Sequence, residues 1–295
     1  MMSKNNGSSR AYRIFSIVVL ILLALLFLFP LYWILTGALK LPAAINSPTP
    51  QWWPKEFTLR NFQALFSRRS APLFQLGSLS GPTVPGAIRW LINTVFMAVM
   101  AMILTCLTAA MAGYALAKKR FTGRFILFSL IVAAMALPKQ VILIPLIREM
   151  SSLGLYDNIW AVIFPTVGWP FGVFLMKQFA EGIPGEMLEA ARIDGAGEAM
   201  TFTNIVYPMI KPGVGALAIF TFISSWNDYF MQLIMLTSSN NLTISLGIAT
   251  MQAENSTDYG LIMAGAALAA VPIIIVFLIF QKYFTKGITM GAVKG

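Results

Sequence analysis

Histidine is absent from this chain of 295 residues, and cysteine occurs once, at Cys106. The first absence removes the commonest metal ligand and the commonest general base. The second excludes an intrachain disulfide, and Cys106, inside an apolar run, reads as a small packing residue. Charge is scarce as well. Charged residues make up 11% of the chain, where a soluble domain carries about 25%. No G-x-x-x-x-G-K-[ST] phosphate loop occurs, so nucleotide hydrolysis is not expected of this chain and no cofactor of its own is implied. Lysines and arginines are scattered among apolar segments without forming a stripe, which argues against nucleic acid as a partner.

What fills the chain instead is apolar sequence: 58% hydrophobic residues and a mean hydropathy of +0.75. Residues 14–39 run for 26 positions without a charge, and residues 90–117 for 28. About 20 such residues cross the hydrocarbon core as a helix, so a polytopic membrane protein in a lipid bilayer follows. Six spans are expected, near residues 14–35, 90–117, 125–144, 158–176, 213–236 and 259–281. The first is too long for the core of a cleavable signal and lacks a small-residue cleavage site after it, so it is expected to be retained. The hairpin Lys118-Lys119-Arg120-Phe121-Thr122-Gly123-Arg124 holds four basic residues in seven and should be cytoplasmic. Both termini then fall on the same side. The fold class is all-α integral membrane, ordered as a cytoplasmic N-terminus at 1–13, a first span at 14–39, an extracytoplasmic loop at 40–89 with short helices, a five-helix core at 90–284, and a cytoplasmic tail at 285–295. Trp90 and Trp160, near span ends, read as interfacial aromatics.

The segment 177–211 stands apart. It carries five acids (Glu181, Glu186, Glu189, Asp194, Glu198) against three bases in a chain of net charge +10. Pro184 can open a helix, Glu186 and Glu189 complement its N-terminal dipole, and Asp194-Gly195 marks a break. A second helix is expected from Gly197 to Tyr207, with Phe202, Ile205 and Val206 on one side, stopping at Pro208. Ala190 and Ala191 leave the first helix slim enough to enter a cleft of a soluble partner. A pair of amphipathic helices lying on the membrane surface is the other reading, although such helices are usually basic.

Within the spans, Asp228 lies about 22 Å along a helix from Gly213. An ionisable residue there marks a candidate site. Its neighbours Trp226, Asn227 and Tyr229 join it as a possible substrate pathway, in the outer half or at the interface. Lys139 is expected to snorkel toward the outer edge. Gly168 and Gly172 have the spacing of a close-packing motif, while Pro170 between them argues equally for a kink. An intramembrane enzyme would need paired carboxylates, serine with histidine, or metal ligands. An ion-coupled secondary transporter would place charges near the midplane. The chain supplies neither pattern.

Glu189, Ala190 and Ala191, followed by Asp194, Gly195 and Ala196 and then by Phe202, Ile205, Pro208 and Pro212, resemble the EAA loop of ABC importer permeases. Trp90-Leu-Ile-Asn-Thr, Ala112-Gly-Tyr-Ala-Leu-Ala, Phe121-Thr-Gly-Arg, Pro138 with Ile144-Pro-Leu, Leu153-Gly-Leu and Trp226-Asn-Asp extend the resemblance to nearly the whole chain. It is nearest to the maltose-type permease of the carbohydrate-uptake family, through the glycine-rich tail Gly287-Ile-Thr-Met-Gly-Ala-Val-Lys-Gly295. The resemblance implies type I ABC importer architecture with six transmembrane helices in a bacterial inner membrane. It also implies transport of a sugar or oligosaccharide by ATP-driven alternating access. Its partners would be a second homologous permease, two ATP-binding subunits holding ATP and Mg, and an extracytoplasmic solute-binding protein. Glu189 would make a charged contact with the ATPase, Ala190 and Ala191 would allow close approach, and Asp194, Gly195 and Ala196 would form the turn. Gly287, Gly291, Lys294 and Gly295 would reach between the ATPase subunits, unless the tail is a frayed terminus.

Overall fold

The computed structural model describes residues 6–76, 79–254 and 258–292. In chain order the helices are α1 (Asn6–Ala38), α2 (Pro42–Ile45), α3 (Arg60–Ser67), α4 (Gly86–Lys118), α5 (Arg124–Ala134), α6 (Leu143–Ser152), α7 (Trp160–Val167), α8 (Pro170–Glu181), α9 (Gly185–Ile193), α10 (Glu198–Thr201), α11 (Tyr207–Asn227), α12 (Tyr229–Met235), α13 (Ile244–Glu254) and α14 (Tyr259–Ala292). A 3₁₀ turn at Lys139–Ile142 precedes α6, and a π turn at Phe202–Val206 joins α10 to α11. Between α3 and α4 run short strands, including the antiparallel pair Gln75–Leu76 and Leu79–Ser80. The long loop was expected to hold short helices, and it holds this small hairpin as well.

Among the described residues, five helical stretches are long and apolar enough to cross a membrane: Tyr12–Ala38, Gly86–Lys118, Trp160–Glu181, Glu198–Asn227 and Tyr259–Gln281. The sixth is a bent pair, Arg124–Ala134 with Lys139–Ser152, turned by 99°. The third span, expected to run from residue 125 toward 144, is therefore bent. Pro138 disfavours a helical residue before it, and the chain leaves α5 at Met135 to resume as the 3₁₀ turn. The fifth span, expected over 213–236 with an interruption at Asp228, instead begins at Glu198 and ends at Asn227, and Asp228 starts a separate short helix.

The chain divides into two compact units, one of residues 1–70 with 248–270, the other of residues 71–247 with 271–295. In the first, Asn61 of α3 donates its side-chain amide to the carbonyls of Ala38 and Lys40 at 2.9 and 2.8 Å, capping the end of α1. The apolar side chains of α1, such as Leu20 and Phe27, lie open, as suits a helix facing lipid or another helix.

The second unit is built on α4, with α7, α8 and α11 packed along it. Small residues let the helices close. A Cβ added at Gly113 of α4 would sit 2.6 Å from the backbone of Met176 and Lys177 on α8. One added at Gly213 would sit 2.5 Å from the ring of Phe179. A Cβ at Gly172 would meet Ala109 and Leu217 at 3.3 Å, while one at Gly168 would meet nothing within 4 Å. Of the two spaced glycines only Gly172 serves packing. Gly168 closes α7, and Pro170 opens α8 in its first turn, where a missing N–H is harmless.

Trp90 was expected at a membrane interface, and the structure buries it to 1% exposure. Its indole N–H donates to the Ser239 carbonyl at 2.8 Å, and its ring fills the space left by Gly247. A buried indole needs an acceptor for its N–H, and the irregular backbone after α12 supplies one.

Candidate functional site

The acidic insert folds as a helix, a turn and a second helix. Pro184 is the N-cap of α9, with Glu186 in the first turn and Arg192 in the last, both signs matched to the helix dipole. Gly195 takes a φ of +77°, the left-handed conformation that ends a helix cheaply only in glycine. Ala196 N–H returns to the Ala191 carbonyl at 2.9 Å and Gly195 N–H to that of Arg192 at 3.1 Å, closing the turn.

The second helix does not stop at Pro208. The π turn at Phe202–Val206 leads directly into α11, which continues through Pro208 and Pro212 to Asn227. The reason is positional. Pro208 falls in the first turn of α11, after the widened π turn has interrupted the ordinary hydrogen-bond ladder, so its ring and missing N–H cost little. The insert is thus the beginning of a spanning helix.

Its exposed side carries Glu186, Met187, Glu189, Ala190, Ile193, Asp194 and Met200. Ile193 is 86% exposed and Met200 57%. Ala191, expected with Ala190 on the approach face, is turned inward and buried, and Ala196 is half-buried. The inner side rests on a core of Tyr114, Met176, Ala180, Ile183, Val206 and Ile210.

Tyr114 near the end of α4 and two lysines of the basic hairpin hold the insert to α4. Lys118 donates its ammonium to the carbonyls of Glu181, at 3.0 Å, and of Ile183, a cation placed at the C-terminus of α8. Lys119 pairs with the Glu198 carboxylate. Tyr114 donates its hydroxyl to the same carboxylate at 3.3 Å, and its ring lies 5.8 Å from that of Phe202. Burial works against the Lys119 ammonium, but the hydrogen bonds and charge interactions with Glu198 and Tyr114 together outweigh it and raise its pKa. Reading the hairpin only as a marker of sidedness missed these roles. The spacing of Tyr114 and Lys118, one helical turn apart at the end of α4, was the available signal.

The second candidate region surrounds Asp228. It accepts from Met231 N–H at 3.4 Å as the cap of α12, and it pairs with Lys139 at 3.0 Å. Lys139 therefore does not snorkel free: a carboxylate one-fifth exposed holds it. The pair borders a cavity of about 500 Å³, also lined by Thr166, Trp169, Phe171 and Ser224. The other proposed pathway residues lie elsewhere. Trp226 is buried and stacked on Phe222 at 5.5 Å, because the face of α11 that bears it packs inward. Asn227 turns back to the Ile223 carbonyl, and Tyr229 is exposed without lining the cavity. Trp169, which the sequence reading passed over as part of a kink, is the tryptophan that does.

Asp157 is a third residue not anticipated. At a φ of 59° it accepts from the N–H groups of Thr237 and Ser238 at 2.8 and 2.9 Å and from the Ser238 hydroxyl. Asn93 donates to the carbonyls of Asn240 and Leu242, while Thr94 accepts from Ile244 N–H. The motif Trp90-Leu-Ile-Asn-Thr is thus the α4 side of a clamp on irregular backbone. Such backbone is tolerated at membrane depth only when protein groups satisfy it. Of the tail residues, Gly287 and Gly291 have helical backbone within α14, while Lys294 and Gly295 lie outside the described residues.

Residues 105–290 match the family described as binding-protein-dependent transport system inner membrane component. The chain belongs to this family. The permease is 33% identical over 299 residues to the arabinooligosaccharides transport system permease protein AraQ of Bacillus subtilis, covering 100% of both chains. It is 37% identical over 206 residues to AraQ of Halalkalibacterium halodurans, 70% of the permease and 74% of that protein. Its fold matches a chain of a bacterial ABC transporter involved in import of the acidic polysaccharide alginate, with a TM-score of 0.74 at 24% identity, over 96% of the permease and 100% of that chain. The α9–α10 insert and the Asp228 cavity both lie within the family match.

Proposed function

We propose that the permease moves a neutral or acidic saccharide inward, and that the segment from α9 to α10 docks onto an ATP-binding partner in the cytoplasm. Curated relatives named for arabinooligosaccharide transport support the saccharide class. The basic hairpin supports the sidedness, with both termini and the insert cytoplasmic. A second related permease, two ATP-binding subunits carrying ATP and Mg, and an extracytoplasmic binding protein complete the assembly.

One observation carries the coupling: the insert is tied to two spanning helices. It runs through the π turn into α11, and Lys118, Lys119 and Tyr114 fasten it to α4. A push on α9 is therefore delivered to two spanning helices, which is what alternating access requires. Glu189, Ala190, Met187 and Ile193 form the docking face, Asp194, Gly195 and Ala196 set its angle, and buried Ala191 seats the helix on its own subunit. The tail at Gly287, Gly291, Lys294 and Gly295 serves as a second ATPase contact. The test is transport by the reconstituted complex with Glu189→Arg and Gly195→Val. Transport should fall at least tenfold while membrane insertion is kept. Wild-type transport by both variants refutes the docking face.

A further inference from the structure

Three helix interruptions converge on the 500 Å³ cavity. They are the break after α5 at residues 135–138, the break between α7 and α8 at Gly168 and Trp169, and the break between α11 and α12 at Asp228. Each contributes lining residues. Interrupted helices at membrane depth persist where they border a wet or ligand-filled space, and this volume lies within the roughly 300–1,000 Å³ of small-molecule sites. The lining mixes an aromatic platform, Trp169 beside Phe171 at 5.0 Å between ring centroids, with the hydroxyl side chains of Thr166 and Ser224. Aromatic faces with a few polar groups at the rim suit a pyranose or furanose ring, which offers C–H on its faces and hydroxyls at its edge.

Charge decides which saccharide. Among the described residues, Lys139 and Asp228 are the only charged ones lining the cavity, and at 3.0 Å they neutralise each other. A hydroxyl can donate to Asp228 or accept from Lys139 with the pair intact. A sugar carboxylate has to take Lys139 away from Asp228, and Asp228, with a side chain only 20% exposed, is left without its cation.

We propose that this cavity is a saccharide-binding site of the permease itself, with Trp169 as its stacking platform and the Lys139–Asp228 pair selecting uncharged sugars over uronates. This rests on the saccharide-importer reading and narrows its cargo. Asp228 changes its role accordingly, from a lone intramembrane acid to one half of a specificity-determining pair.

The test uses the assembled complex in nanodiscs without binding protein, with labelled arabinotriose as the neutral probe and trigalacturonate as the acidic one. Wild type should bind arabinotriose at least tenfold tighter than trigalacturonate. Trp169→Ala should weaken arabinotriose at least tenfold. Asp228→Asn frees Lys139 and should shift the affinity ratio at least tenfold toward trigalacturonate. The exchanged pair, Lys139→Asp with Asp228→Lys, keeps the site neutral and should keep the wild-type ratio, which separates the charge effect from misfolding. The proposal is overturned if wild type binds neither probe or prefers trigalacturonate, if Trp169→Ala changes nothing, or if Asp228→Asn leaves the ratio unmoved. Those results in a complex that still hydrolyses ATP and transports remove only this site. A permease that never assembles with an ATP-binding subunit removes the importer reading and this site with it.

Discussion

Two identical glycine-to-alanine changes should differ in their effect on stability. At Gly113 of α4, the new Cβ would lie 2.6 Å from Lys177 N, Met176 C and Met176 Cβ of α8. Two of those atoms are backbone, so α4 and α8 must part by about 0.8 Å to reach an ordinary 3.4 Å contact. Overpacking of this kind costs about 1–3 kcal/mol. Alanine recovers up to about 1 kcal/mol in helix propensity, so a net loss of about 0–2 kcal/mol remains. At Gly172 of α8 the nearest atoms are Ala109 Cβ and Leu217 Cδ1 at 3.3 Å, and the leucine methyl can move. Gly172→Ala should therefore be neutral or slightly stabilising. Thermal unfolding of the full chain in detergent micelles, followed by tryptophan fluorescence, checks both. Gly113→Ala should lower the transition temperature by several degrees, and Gly172→Ala should leave it unchanged or raise it. Equal shifts of the same sign refute the assignment of α4–α8 as the close-packed contact that carries Lys118 to the insert.

Gly195→Ala meets no atom within 4 Å, so its cost is backbone strain alone, about 1–2 kcal/mol. It should reduce coupled transport less than Gly195→Val does, as transport assays on the two variants would reveal. The Lys119–Glu198 pair is partly solvated, with the Glu198 side chain 65% exposed, and such pairs contribute about 0–1 kcal/mol. Lys119→Met should thus barely move the unfolding temperature yet lower the transport obtained per ATP hydrolysed; an unchanged ratio would show that the pair does not steer the insert. Asp157→Ala strips the acceptor from two backbone N–H groups, each worth about 1 kcal/mol. Hydrogen exchange at Thr237 and Ser238 should accelerate at least tenfold in that variant, and unaltered protection would refute the clamp.

The parts of this fold legible in the sequence were those governed by local patterns. Apolar length marked the spans, and Asp194-Gly195 marked a turn that needs a left-handed residue. The parts that were not legible depended on partners distant in the chain. Lys139 and Asp228 are far apart in sequence, and nothing in either neighbourhood announces an ion pair. Trp226 and Trp169 are equally plausible cavity residues by type. Which one faces inward follows from the rotation of α11 against α4 and α8, a property of packing. Pro208 was misread because a proline stops a helix only beyond its first turn, and the π turn ahead of it resets where that turn begins.

The central claim is that the exposed face of the insert meets the ATP-binding subunit. In a Cys106→Ala background, Met200→Cys places a single thiol on that face, and Leu79→Cys places one on the loop assigned to the other side of the membrane. Both positions are exposed, at 57% and 65%. Thiol-directed cross-linking in native membranes holding the whole complex should join position 200 to the ATP-binding subunit and leave position 79 unlinked to it. Absence of a link from position 200 in a complex that still transports, or a link from position 79, would contradict the account.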